Sequence, residues 1–86
     1  MDVKTNAFKD YLAVEIATSK GKPGWLYTSS AEEIYGVDLE KKEIFKYNLK
    51  EMIQYAADNA HRFKTTKNYS VLLWVHKDNK MIERLQ

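Results

Sequence analysis

The chain has 86 residues, 44% of them hydrophobic and 30% charged, with no cysteine and a formal net charge of +2. That length holds one domain, residues 1–86, with a single modest core that buries roughly 60–70% of the surface exposed by the unfolded chain. The lack of cysteine excludes disulfide staples, thiolate zinc sites and thiol catalysis, and it points to the reducing cytoplasm, because a secreted domain this short normally needs such staples.

Residues 11–18 alternate, with Leu12, Val14 and Ile16 opposite Ala13, Glu15 and Ala17, a period of two that predicts a half-buried strand. Residues 19–24 are dense in turn formers, and the aromatic stretch 25–29 reads as a returning strand, completing a hairpin. Ser30 and Glu33 have the spacing of a capping box, which predicts a short helix that stops at Gly36. For residues 37–47 two readings stay open. Ile44, Phe45 and Tyr47 favour a strand, whereas the Glu/Lys content permits a helix.

Residues 48–63 form the clearest element. Asn48 and Glu51 repeat the capping spacing, and Leu49, Met52, Ile53, Ala56, Ala60 and Phe63 fall on one helical face. After a polar loop at 64–68, residues 69–76 predict a strand with apolar side chains on both faces, hence central in a sheet. A turn at 77–80 and a last strand at 81–85 complete the chain. The expected class is α+β: an antiparallel sheet of four or five strands with the 48–63 helix packed on one face. No stretch has the length and apolarity of a membrane span, and the first ten residues lack the apolar region of an export signal, so no membrane partner is expected.

Charge is unevenly spread. Residues 32–58 sum to −3 and residues 59–86 to +4, and between Asn59 and Lys77 there is no carboxylate at all. Cations interleaved with aromatic side chains are what single-stranded nucleic acid requires, the cations along the phosphates and the ring faces against the bases. Two segments offer both. One holds Lys20, Lys22 and Trp25, with Tyr27 beyond. The other holds Arg62, Lys64, Lys67 and Tyr69, followed by Trp74, His76 and Lys77. The competing reading puts the aromatics in the core and leaves the lysines as a solvated surface, and it is the stronger one for Trp74.

Signals for catalysis are thin. His61 and His76 are the only histidines; a small metal-independent ribonuclease would use His76 as acid or base, with Arg84 or Lys77 against the phosphate. His61 and Asp58 share a helical face, but neither cysteine nor a nearby second histidine completes a metal site. Ser29 and Ser30 lack a nucleophile-elbow context, and the Gly21–Gly24 loop has the wrong spacing for cradling phosphate. No catalytic residue, metal or cofactor is therefore assigned.

In length and in its Lys/Glu/Tyr/Asn-rich, cysteine-poor style, including Lys64-Thr-Thr-Lys-Asn-Tyr69 and Trp74-Val-His-Lys-Asp-Asn-Lys80, the chain resembles the small early counter-defence proteins of T4-type bacteriophages. That family includes inhibitors of the ToxIN toxin–antitoxin system. The resemblance implies an RNA-dependent inhibitor of a host toxin ribonuclease, working in the host cytoplasm, and it assigns no residues. The expectation is a small RNA-binding inhibitor or adaptor with Arg62, Lys64, Lys67, Tyr69, Lys77, Lys20, Lys22 and Trp25 at the contact. The alternatives are a protein-only inhibitor that uses an exposed sheet edge, and the His76 ribonuclease. One helix cannot cover both faces of a strand bearing Leu72 and Trp74, so the N-terminal segment or a second subunit must cover the other, and a homodimer is expected.

Overall fold

The alternation at the start of the chain forms β3 (Tyr11–Ala17), in which Leu12, Val14 and Ile16 are buried. A computed structural model describes residues 2–4 and 7–86, and among them the chain is α+β, with eight strands in two four-stranded sheets and one principal helix. The remaining strands are β1 (Asp2–Lys4), β2 (Ala7–Phe8), β4 (Glu33–Asp38), β5 (Glu43–Asn48), β6 (Lys64–Thr65), β7 (Val71–His76) and β8 (Ile82–Arg84). One sheet has the order β1-β4-β5-β8 and the other β2-β3-β7-β6; every pairing is antiparallel except β1 with β4. The α+β class, the antiparallel pairing and the single main helix are thus as expected, while the strands are shared between two sheets. Residues 37–47 resolve in favour of strand, as the end of β4 and most of β5.

Two local expectations are corrected. The stretch 25–29 is not a returning strand. Only Pro23 pairs with Ala17, and the chain then winds into a single helical turn, α1 (Trp25–Thr28). Proline has no N–H to continue a ladder. The Gly24 N–H donates to the Ile16 carbonyl at 2.8 Å, and the turn that follows sends Leu26 fully into the core. The stretch 30–36 is not a capped helix either. Ile34, Gly36 and Asp38 alternate inward along β4, so the burial available to a strand outweighs the local capping signal. Gly36 does not stop a helix; a Cβ there would lie 3.3 Å from a methyl of Leu12, and its absence lets the two sheets approach.

The main helix, α2 (Leu49–Asp58), begins as its sequence indicates, with the Asn48 side chain accepting from the Glu51 N–H at 3.0 Å. Leu49, Met52 and Ala56 enter the core beside Leu12, Val14, Phe45 and Leu73. The helix ends earlier than the apolar spacing suggests. The Asn59 side chain donates to the Tyr55 carbonyl at 2.8 Å and the backbone tightens into a 3-10 turn at Ala60–Arg62, leaving Ala60 exposed and Phe63 half-buried.

Lys77 is also corrected. It was expected in the basic band, but it is 5% exposed, and its ammonium lies 2.8 Å from both Asp38 Oδ2 and Glu43 Oε1. Alternation accounts for this: His76 ends β7 pointing outward, so the next residue turns inward, toward the acids that face each other across β4 and β5. Arg84 joins the cluster through Glu43, and the Lys77 and Arg84 cations lie 5.4 and 4.9 Å from the centre of the Phe45 ring.

Candidate nucleic-acid interface

The register of β3 with β7 sets Tyr11 opposite His76, Ala13 opposite Trp74 and Glu15 opposite Leu72. Since Leu12, Val14, Leu73 and Val75 face the core, these alternate residues face away from it. The outer strands extend the same face, β2 adding Phe8 beside Tyr11 and β6 adding Lys64 beside Leu72. The result is an aromatic surface. The Phe8 and Trp74 ring centres are 6.2 Å apart, and Tyr11 meets His76 edge-on at 5.2 Å. Phe8 is 59% and Tyr11 40% exposed, and Trp74 is half-buried, so ring surface remains available to a ligand.

Beside this surface the 3-10 turn delivers His61 and Arg62 to the start of β6. Together with Tyr11, Lys64 and Trp74 they line an open concavity of about 420 Å³. Arg62 donates to the Tyr55 hydroxyl at 3.5 Å. Among the described residues no carboxylate lies within ion-pair range of His61, Arg62 or Lys64, so the charges of Arg62 and Lys64 are left for an external anion. The outer face of the other sheet is different. There Lys46 is held by Glu83 at 3.2 Å and Glu33 at 3.3 Å, which raise its pKa through hydrogen bonds, Glu83 having the larger effect.

The sequence-predicted residues separate into groups. Arg62 and Lys64 line the concavity. Lys67 and Tyr69 occupy the hairpin between β6 and β7 at one end of the same sheet, and Lys20 and Lys22 lie in the loop that leaves β3 at that end. Trp25 is half-buried, its backbone N–H donating to Glu15 Oε1 at 3.2 Å and the Lys4 ammonium lying 5.0 Å from its ring centre; it does not line the concavity. Lys77 is withdrawn into the inter-sheet cluster. Sequence reasoning passed over Phe8 and Tyr11, and it weighed His61 only for catalysis and as a metal ligand, not as part of this surface. Tyr11 was detectable, since it shares the outward parity of Ala13 and Glu15 at the start of the strand.

The His76 imidazole accepts at Nδ1 from the Asp78 N–H at 3.1 Å, which places the proton of the neutral ring on Nε2. Both cations that could serve it in phosphate chemistry, Lys77 and Arg84, are engaged by carboxylates. No protein-family model, curated protein or solved structure matches the chain.

Proposed function

We propose that this domain binds single-stranded RNA on the outer face of its second sheet. Bases stack on Tyr11 and Trp74, and phosphates are met by Arg62 and Lys64. The observation that carries this reading is that the exposed Tyr11 ring, the half-buried Trp74 ring and two carboxylate-free cations line one concavity on one sheet face. A duplex keeps its bases stacked on each other, so unpaired bases suit such a surface better. The role we assign is that of an adaptor or inhibitor that holds RNA, and the resemblance to phage early proteins makes a host toxin ribonuclease the first protein partner to test. The homodimer expected from Leu72 and Trp74 would use this same face, which makes RNA and a second copy alternatives there.

The test is fluorescence anisotropy with a labelled single-stranded RNA, a hairpin duplex and a single-stranded DNA of the same sequence. The single-stranded RNA should bind tightest. Trp74→Ala should weaken it by about 1–3 kcal/mol, as expected for loss of a stacked base. Arg62→Ala with Lys64→Ala should weaken it broadly across sequences and flatten its salt dependence by about 0.7 per lost phosphate contact. Lys41→Ala with Lys42→Ala should have little effect. Equal binding by wild type and the Arg62/Lys64 variant at every salt concentration would remove this surface from consideration. RNA recovered cut by wild type and intact with His61→Ala would instead make the concavity a ribonuclease site.

A further inference from the structure

We infer that a bound strand leaves this platform over one particular end of the second sheet, where the 18–24 and 66–70 loops form a second RNA contact that only a longer strand reaches. This rests on the RNA reading above.

Pairing of Ala17 with Val71, and of Val71 with Thr65, sets the ends of β3 and β6 beside the start of β7. The loop after β3 and the hairpin after β6 therefore emerge at the same end, although they lie far apart in sequence. The bridge from Ala17 to Pro23 holds the first loop against the sheet. Its two lysines, Lys20 and Lys22, are exposed, as is Lys67 in the second, and neither loop contains a carboxylate. The opposite end is electrically mixed. There Lys41 lies 3.8 Å from Asp10, and His76 Nδ1 lies 3.8 Å from the Asp78 carboxylate. Among the described residues Glu15 is the one carboxylate near the favourable end on this face, and it is occupied by the Trp25 backbone N–H at 3.2 Å. A polyanion that crosses the sheet therefore meets an excess of positive charge at one end and a mixture of charges at the other.

Tyr69 adds a ring at the favourable end. It is 76% exposed and sits in the left-handed region at φ 66°, a conformation that bulky residues rarely adopt. The turn holds it there: the Thr66 N–H donates to the Ser70 carbonyl at 2.8 Å, the Tyr69 N–H donates to the Thr66 carbonyl at 3.0 Å, and the two hydroxyls of Thr66 and Ser70 meet at 2.8 Å. An aromatic ring held outward beside Lys67 is a stacking surface for a base beyond the sheet.

The experiment compares an oligouridine tetranucleotide with a dodecanucleotide. Lys20→Ala/Lys22→Ala/Lys67→Ala should weaken the dodecanucleotide about tenfold or more and lower its salt slope by about 2, while leaving the tetranucleotide within about twofold. Tyr69→Asn, which keeps a residue tolerant of positive φ, should weaken only the dodecanucleotide, by about fivefold or more. Lys9→Ala/Lys80→Ala at the opposite end should change neither. Wild-type affinity of the triple variant for the long strand overturns the inference. So does equal loss for both lengths, or an equal loss from the Lys9/Lys80 variant. If wild type binds the tetranucleotide but gains nothing from length, the second contact is absent and the platform stands. If it binds neither, the RNA reading falls as well.

Discussion

Lys77 Nζ lies 2.8 Å from Asp38 Oδ2, an ion pair that ties the end of the second sheet to the end of β4 in the first. The same ammonium holds Glu43, and Glu43 holds Arg84, so four charges close one end of the core. Removing the central cation leaves the Asp38 carboxylate with little access to water and no cation paired with it, and leaves Glu43 with Arg84 alone. Lys77→Met, which keeps most of the packed volume, is expected to lower the melting temperature by about 10 °C or more. Lys64→Met, on the open face, should shift it by only a few degrees. Thermal unfolding by circular dichroism decides this, and equal shifts would show the cluster to be inconsequential.

The cluster also sets a pH dependence. The hydrogen bond from Lys77 comes first among the causes that hold Asp38 and Glu43 below their ordinary carboxylate values, helped by the Lys41 N–H at Asp38 and by Arg84 at Glu43. Burial by itself would depress Lys77, but its bonds to the two acids outweigh it and leave the ammonium raised. The carboxylate contribution is therefore complete above about pH 5 and is lost as pH falls through the lowered folded values. The lysine contribution is complete below its ordinary value of 10.5 and is lost as pH rises through the raised one. Urea midpoints of wild type and Lys77→Met should differ most near neutrality and converge in acid. A gap as wide in acid as at neutrality would show that these groups do not carry the effect.

Gly24 tests how the basic loop is positioned. A Cβ there would lie 2.4 Å from the Glu15 carbonyl oxygen, so a side chain forces the backbone away from β3. Gly24→Ala should destabilise by about 1–3 kcal/mol in chemical denaturation. Lys22→Ala, two residues earlier and exposed, should stay within about 0.5 kcal/mol of wild type. A neutral Gly24→Ala would mean that the loop adjusts without strain and does not depend on this contact.

Assembly and RNA binding are expected to compete. Phe8 already covers part of Trp74, but both rings and Tyr11 keep exposed surface, and a second copy that used this face would occupy the RNA platform. In sedimentation equilibrium the free protein is expected as a dimer at micromolar concentration, and as a monomer bound to RNA once oligonucleotide is saturating. A dimer mass that survives saturation would place the subunit contact elsewhere, and a monomer under both conditions would remove the dimer.

The sequence by itself determined the elements whose signals are local. Asn48 and Glu51 mark the start of α2 because a side-chain cap acts within a single turn, and Leu12, Val14 and Ile16 mark β3 because alternation is a property of one strand. The carboxylate-free run from Asn59 to Lys77 was equally plain in the sequence, and two of its cations, Arg62 and Lys64, line the concavity. The tertiary structure decided what depends on distant partners. Within the stretch 30–36, residues 33–36 became strand and not helix because β5 offered Ile34 and Gly36 a ladder and Leu12 offered them a core. Residues 25–28 became a helical turn because Pro23 ended the pairing with β3 and Leu26 had a core to enter. Only the pairing of β7 with both β3 and β6 brought Tyr11 to Arg62, and the loop of Lys20 to the hairpin of Tyr69. Lys77, one residue past an exposed histidine, was inseparable by composition from the surface lysines, and its burial followed from two carboxylates more than thirty residues away in sequence. Periodicity and capping are set by neighbours along the chain, whereas strand pairing and the partner of a buried charge are set by neighbours in space.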